Sequence, residues 1–194
     1  MVSGLREKLI WGAGCMTACT SLYLVTNLLS DGFENKAQMF FQWELDIPLI
    51  PCFIILYVSF YLLLVLGFLA CRTKIELQNL TGQMIFCAII AALIFVIFPG
   101  ELGYTRAEET DLFKPVYDLL FELDRPSNLY PSLHIAFSYV SLGFVLGQTR
   151  STIFKSLLAL WFIGICSSVI LVHQHHLFDI VTGLALALVA RRVV

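Results

Sequence analysis

All four histidines of the chain lie in two short stretches, "YPSLHIAFSYV" (130–140) and "VHQHHLFDIVTG" (172–183). His175 and Asp179 are four residues apart and share one face of a helix. Asp179 can accept a hydrogen bond from one ring nitrogen of His175. That bond fixes the tautomer and leaves the other nitrogen's lone pair as a nucleophile or base. His176, three residues from Asp179, competes for the same carboxylate, and His173 lies off that face. In the other stretch, Ser132 is expected to cap a helix whose first turn carries His134. A helix N-terminus offers N–H groups to an anion. A histidine nucleophile, a second histidine as proton donor and amide donors suit phosphoryl transfer, where positioning and charge stabilisation carry most of the rate.

The elements that must position these groups are apolar. The 194 residues are 59% hydrophobic and 13% charged, with mean hydropathy +0.85. A soluble domain of this length cannot bury that much apolar surface, so an integral membrane protein is expected, as a single domain over 1–194. About 20 apolar residues cross a bilayer as a helix. Six segments qualify: 9–29, 48–70, 79–98, 132–149, 153–172 and 176–192, giving an all-α bundle. The first is too long for a cleavable signal and reads as a retained span. The connections 30–47 and 99–131 are long, and the second is polar. The six cysteines fall in or beside apolar runs and read as packing residues.

Charge orients the bundle. The N-terminus, the 71–78 and 150–155 loops and the C-terminus hold eight of the twelve basic residues and only two acids, Glu7 and Glu76. The positive-inside rule places that side, with both termini, in the cytoplasm. The 99–131 loop and the "HQHH" turn then share the outer face. The net charge of −2 says nothing about nucleic acid, but no basic run invites it, and no nucleic-acid partner is expected. The acidic outer stretch (Glu101, Glu108, Glu109, Asp111, Asp118, Glu122, Asp124) reads as a solvated surface. It disfavours soluble polyanions but not a lipid arriving laterally between helices.

"PSLH" followed by "H-x-x-x-D" resembles the second and third signature motifs of the type 2 phosphatidic acid phosphatase superfamily. "FELDRPSNLYPSLHIAFSYV" and "HQHHLFDIVTG" resemble a bacterial branch of it, some members of which carry a dual-specificity-phosphatase-like domain after the membrane part. No such domain is expected within these 194 residues. The resemblance implies a six-helix membrane enzyme removing phosphate from a lipid phosphate or diphosphate, without metal or other cofactor. It also implies a bacterial inner membrane, with the site facing the periplasm. His175 would form a phosphohistidine and Asp179 would orient it. His134 would protonate the leaving group and then activate water. Ser132 and the Leu133 amide would hold phosphate oxygens.

Two positions depart from the superfamily pattern. Val169 stands where the third motif has a phosphate-binding arginine, and Asp118 where the first motif has a lysine, seven residues before Arg125-Pro126. Another cation is therefore expected to neutralise the phosphate: Arg106 first, then Arg125, then Lys114. Three other readings remain open: a lipid head-group phosphotransferase using the same site, a histidine-ligated metal enzyme, and a lipid-binding protein without catalysis. Gln174-His175 resembles the head-group transferases of sphingolipid synthesis. The sequence does not name the lipid or the oligomeric state.

Overall fold

The computed structural model of the chain describes residues 4–106 and 110–194. Glu108 and Glu109 of the acidic outer stretch lie outside the described residues, as does the side chain of Asp111. The fold is all-α. Helix α1 runs over Leu5–Asp31, α2 over Pro51–Ala70, α3 over Lys74–Ile97, α4 over Lys114–Leu123, α5 over Leu133–Gly147, α6 over Thr152–Leu171 and α7 over Leu177–Val193. Helices α1, α2, α3 and α6 are long and apolar enough to cross a membrane. Helix α5 has 15 residues and α7 has 17, or about 22 and 25 Å at 1.5 Å per residue.

Local chemistry sets the ends of these helices. Thr73 and Glu76 form a reciprocal capping box at the start of α3. The Ser151 hydroxyl accepts from the Phe154 amide at the start of α6. Pro51 sits in the opening 3₁₀ turn of α2, where its missing N–H leaves no helix bond unmade. Helix α7 is capped from within, because Asp179 Oδ2 accepts from the His176 amide at 2.9 Å.

Burial along α1 is inverted relative to a soluble helix. Thr26, Asn27 and Ser30 are buried while Leu24, Val25, Leu28 and Leu29 are exposed. Exposed apolar residues also cover the flanks of α2, α6 and α7, for example Ile55, Leu160, Ile163 and Val181. Water would not tolerate this surface, whereas lipid is as apolar as leucine. The protein is an integral membrane protein by this measure.

Helix α1 packs along α3, α2 along α5, and α5 along α7. The last contact is close because residue 183 is glycine. A Cβ there would lie 2.6 Å from the Ser132 carbonyl oxygen. The basic end of the bundle is tied together by Lys8 donating to the Leu69 carbonyl and Arg72 donating to the Gln148 carbonyl.

The structure differs from the sequence reading in the 99–131 connection, which holds a helix, α4, instead of being all loop. Val116, Leu119, Leu120 and Leu123 repeat at helical spacing, and Pro115 sits in the first turn, where proline is favoured. The charged residues between them masked that period. The outer connections are pinned to each other: the Ala37 amide donates to the Pro99 carbonyl, and the Glu101 amide to the Ala37 carbonyl.

Candidate functional site

Helix α7 and the turn before it bring His175 and Asp179 together, and the first turn of α5 supplies His134. His175 Nδ1 lies 3.2 Å from Asp179 Oδ2. His175 Nε2 lies 3.4 Å from His134 Nδ1. With Asp179 ionised, the His175 proton sits on Nδ1, so Nε2 carries the lone pair and accepts from His134 Nδ1–H. The three side chains form one chain of hydrogen bonds, with His175 and Asp179 buried. The backbone holds this chain in register. The Ser132 amide donates to the Asp179 carbonyl, and the Val169 carbonyl accepts from the amides of both Gln174 and His175.

His134 and His175 open onto one cavity of about 280 Å³ between α1, α2, α4 and α5. Its walls are apolar, including Leu24, Val58, Leu119 and Leu123, which are also exposed on the outside of the bundle. The cavity therefore opens sideways onto the apolar flank. Its polar groups are those of Thr20, Tyr23, Tyr57, Tyr61, Asp124, Asn128 and the two histidines. The Asp124 carboxylate accepts from the Tyr23 hydroxyl. Burial pushes the Asp124 carboxyl above the ordinary aspartate value, against the opposing pulls of the Tyr23 hydroxyl, His175 and Arg106.

The remaining candidates fall elsewhere. Among the described residues no lysine or arginine lines the cavity. The Arg106 guanidinium donates to the carbonyls of Phe121 and Asp124 and lies over the Phe121 ring. Arg125 pairs with Asp31 at 2.8 Å, and Lys114 with Asp118 at 2.8 Å. Leu133 lines the cavity; Ser132 does not. Ser132 occupies the N-cap position of α5, but its hydroxyl makes no capping bond and is buried without a partner. The expected cap is not made.

His173 and His176 leave the cavity altogether. They stack with Tyr104 and Phe40 on its outer side: centroids are 4.0 Å apart for Tyr104–His173, 4.6 Å for Tyr104–His176 and 4.5 Å for Phe40–His176. His173 Nε2 reaches the Ile47 carbonyl at 2.9 Å. The Gly103 amide donates to His176 Nε2 at 3.2 Å, so the His176 proton sits on Nδ1, 3.5 Å from Glu44 Oε2. That is long for a hydrogen bond but within electrostatic reach. Burial lowers both imidazoles below the usual histidine value, which keeps them neutral at pH 7. Glu44, itself fully buried, also accepts from the amides of Leu177 and Phe41, both at 2.8 Å. The "HQHH" turn is thus clamped from outside by 40–47 and 100–104. Its histidines diverge and do not converge on a common metal position. Among the described residues no group of three or more His, Cys, Asp or Glu side chains is placed to hold a metal ion.

Comparison with protein-family models, with curated proteins and with solved structures returns no match. The function rests on the chain's own geometry.

Sequence reasoning missed Tyr23, Tyr57, Asp124 and Glu44. Asp124 was one acid among seven in an apparently solvated stretch. Tyr23 and Tyr57 sit inside apolar runs, where a tyrosine looks like any other aromatic. A buried Glu44 has no sequence signature at all.

Proposed function

We propose that this protein is a membrane enzyme that removes the phosphate of a lipid phosphate or diphosphate through a phosphohistidine at His175. One observation carries the reading: the Asp179–His175–His134 hydrogen-bond chain opens on an apolar cavity that faces the lipid side. Such a site takes an amphiphile by its tail and presents its head to the histidines.

In this mechanism His175 Nε2 attacks phosphorus as the bond to the leaving oxygen breaks. Asp179 stabilises the positive charge that grows on the His175 ring. Protonated His134 gives its proton to the leaving oxygen. It then takes a proton from water, whose hydroxide attacks the phosphohistidine and releases phosphate with the free imidazole. The head docks beside the two rings and replaces their mutual contact. First-turn amides of α5, Leu133 among them, face the phosphate oxygens. A lipid hydroxyl in place of water gives phosphotransfer at the same site, and an apolar mouth admits such an acceptor as readily as the donor.

The same reading makes α5 and α7 the fourth and sixth of six spans, with short ends that place the histidines below the outer surface. Clustering of Lys8, Arg72 and Arg191 toward the opposite end supports cytoplasmic termini and a site on the outer face, and the motif resemblance alone suggests a bacterial inner membrane. The test is phosphate release by purified protein from a panel of lipid phosphates with EDTA present. Activity in the wild type that is lost in His175→Ala supports the reading, and product analysis separates water from a lipid acceptor.

A further inference from the structure

The polar end of the cavity is built from an acid and aromatic rings, which is the wrong chemistry for a phosphate alone. Asp124 enters it with no salt bridge to its carboxylate among the described residues, although Arg106 lies within electrostatic reach. Arg106 is spent on backbone carbonyls, and Arg125 on Asp31. Tyr23, Tyr57 and Tyr61 all line the cavity and all lie within electrostatic reach of Asp124. The Tyr57 hydroxyl is buried, with the residue only 2% exposed, and has no hydrogen-bond partner among the described residues. A buried carboxylate held by one tyrosine hydroxyl, with no salt bridge, and an orphaned hydroxyl in the same apolar cavity are each unfavourable unless a ligand completes them. A carboxylate in a cavity lined by tyrosines attracts an ammonium group, through its charge and through the quadrupoles of the lining rings.

We propose that Asp124, Tyr23, Tyr57 and Tyr61 form a subsite for an ammonium group carried by the same amphiphile whose phosphate faces His134 and His175. This rests on the phosphoryl-transfer reading of the histidines and specifies its substrate class: a zwitterionic lipid phosphate, with the positive charge a few bonds from phosphorus. Electrostatics favours the arrangement. His175 lies within reach of Asp124, so a dipolar head bridges the two, its anion on the histidines and its cation on the carboxylate. It also accounts for a phosphate site without lysine or arginine, because the ligand brings part of its own neutralising charge. Two sources share this chemistry: an amine on the lipid backbone beside a phosphate monoester, or a choline or ethanolamine beyond the phosphate.

The experiment measures binding in full-length His175→Ala protein, which removes turnover from the result, in a maltoside detergent. One arm compares sphingosine 1-phosphate with its N-acetyl derivative, which lacks the amine charge. The other compares dodecylphosphocholine with dodecyl phosphate. In one arm the ammonium ligand should bind about tenfold more tightly, and Asp124→Asn should erase that preference. The arm that shows it identifies the source. Should Asp124→Asn not fold, Tyr61→Leu, at an exposed position, should reduce the same preference severalfold. Equal binding within both pairs, or a preference untouched by the variant that folds, overturns the proposal. Phosphate release by the wild type is measured separately, so lost ammonium preference with intact His175-dependent turnover leaves the mechanism standing.

Discussion

His175 Nε2 and His134 Nδ1 lie 3.4 Å apart, although 41 residues separate the two histidines. The contact depends on α5 and α7 approaching to within backbone distance, and a single glycine permits that approach. Gly183→Ala should lower thermal stability by about 1–3 kcal/mol, the usual range for overpacking a tight contact. Its methyl would press on the Ser132 carbonyl and displace the turn that carries His134. Activity should fall with the stability, and Gly183→Val should be worse on both counts.

The role assigned to His134 separates it from a merely structural histidine. As proton donor to the leaving oxygen, it matters most when that oxygen is a poor leaving group. His134→Ala should slow release from an alkyl phosphate by about 10²–10⁴-fold. The defect should shrink markedly with an aryl phosphate amphiphile whose phenol leaves unaided. An equal defect on both substrates would remove His134 from the proton-transfer step.

Asp124 ties stability to pH in a definite direction. Its carboxyl titrates above the ordinary aspartate value in the folded protein because burial disfavours the charge. The folded state then holds its proton more tightly than the unfolded state. This group's contribution is most favourable at low pH and falls as pH rises from the unfolded value through the folded one. Asp124→Asn keeps the shape and an acceptor for the Tyr23 hydroxyl without the charge. The variant should melt higher than the wild type at neutral pH, and the gap should close as pH falls through that window. Thermal unfolding in detergent across the acid range checks it.

Glu44 acts on the site through the backbone. Its carboxylate accepts from Leu177 and Phe41 amides and faces His176, so it holds both the start of α7 and the outer clamp. Glu44→Ala leaves two part-buried amides without their acceptor, at up to about 1–3 kcal/mol each. Glu44→Gln retains an acceptor and should recover most of the stability. If Glu44 positions His175, turnover should follow the same order while the pH dependence of the remaining activity stays as in the wild type.

The helices were legible where composition alone decides. Long apolar runs such as 79–98 and 153–172 have no soluble alternative, and the structure places α3 and α6 there. The His175–Asp179 pairing was legible too, although His175 sits in the turn before α7, one residue ahead of the His176 N-cap, and reaches Asp179 from there and not from a shared helical face. The fates of the other histidines were not. His173 and His176 face outward because of residues 40–47 and 100–104, and nothing local to "HQHH" encodes that clamp. The cations failed for a related reason. Arg106 and Arg125 find nearer partners in Phe121 and Asp31, contacts set by how the outer connections fold back on α1 and α4, while Lys114 pairs with Asp118 one turn along α4 once that helix forms. Asp124 shows the converse, since a residue's place in a charged stretch does not reveal that its side chain turns inward.

The most direct measurement of the central claim is phosphate release from a lipid phosphate by purified wild-type and His175→Ala protein, both with excess EDTA. The account predicts wild-type activity unaffected by the chelator, and loss of at least about 10³-fold on removing the nucleophile. Undiminished turnover in His175→Ala, or wild-type activity abolished by EDTA, would contradict it.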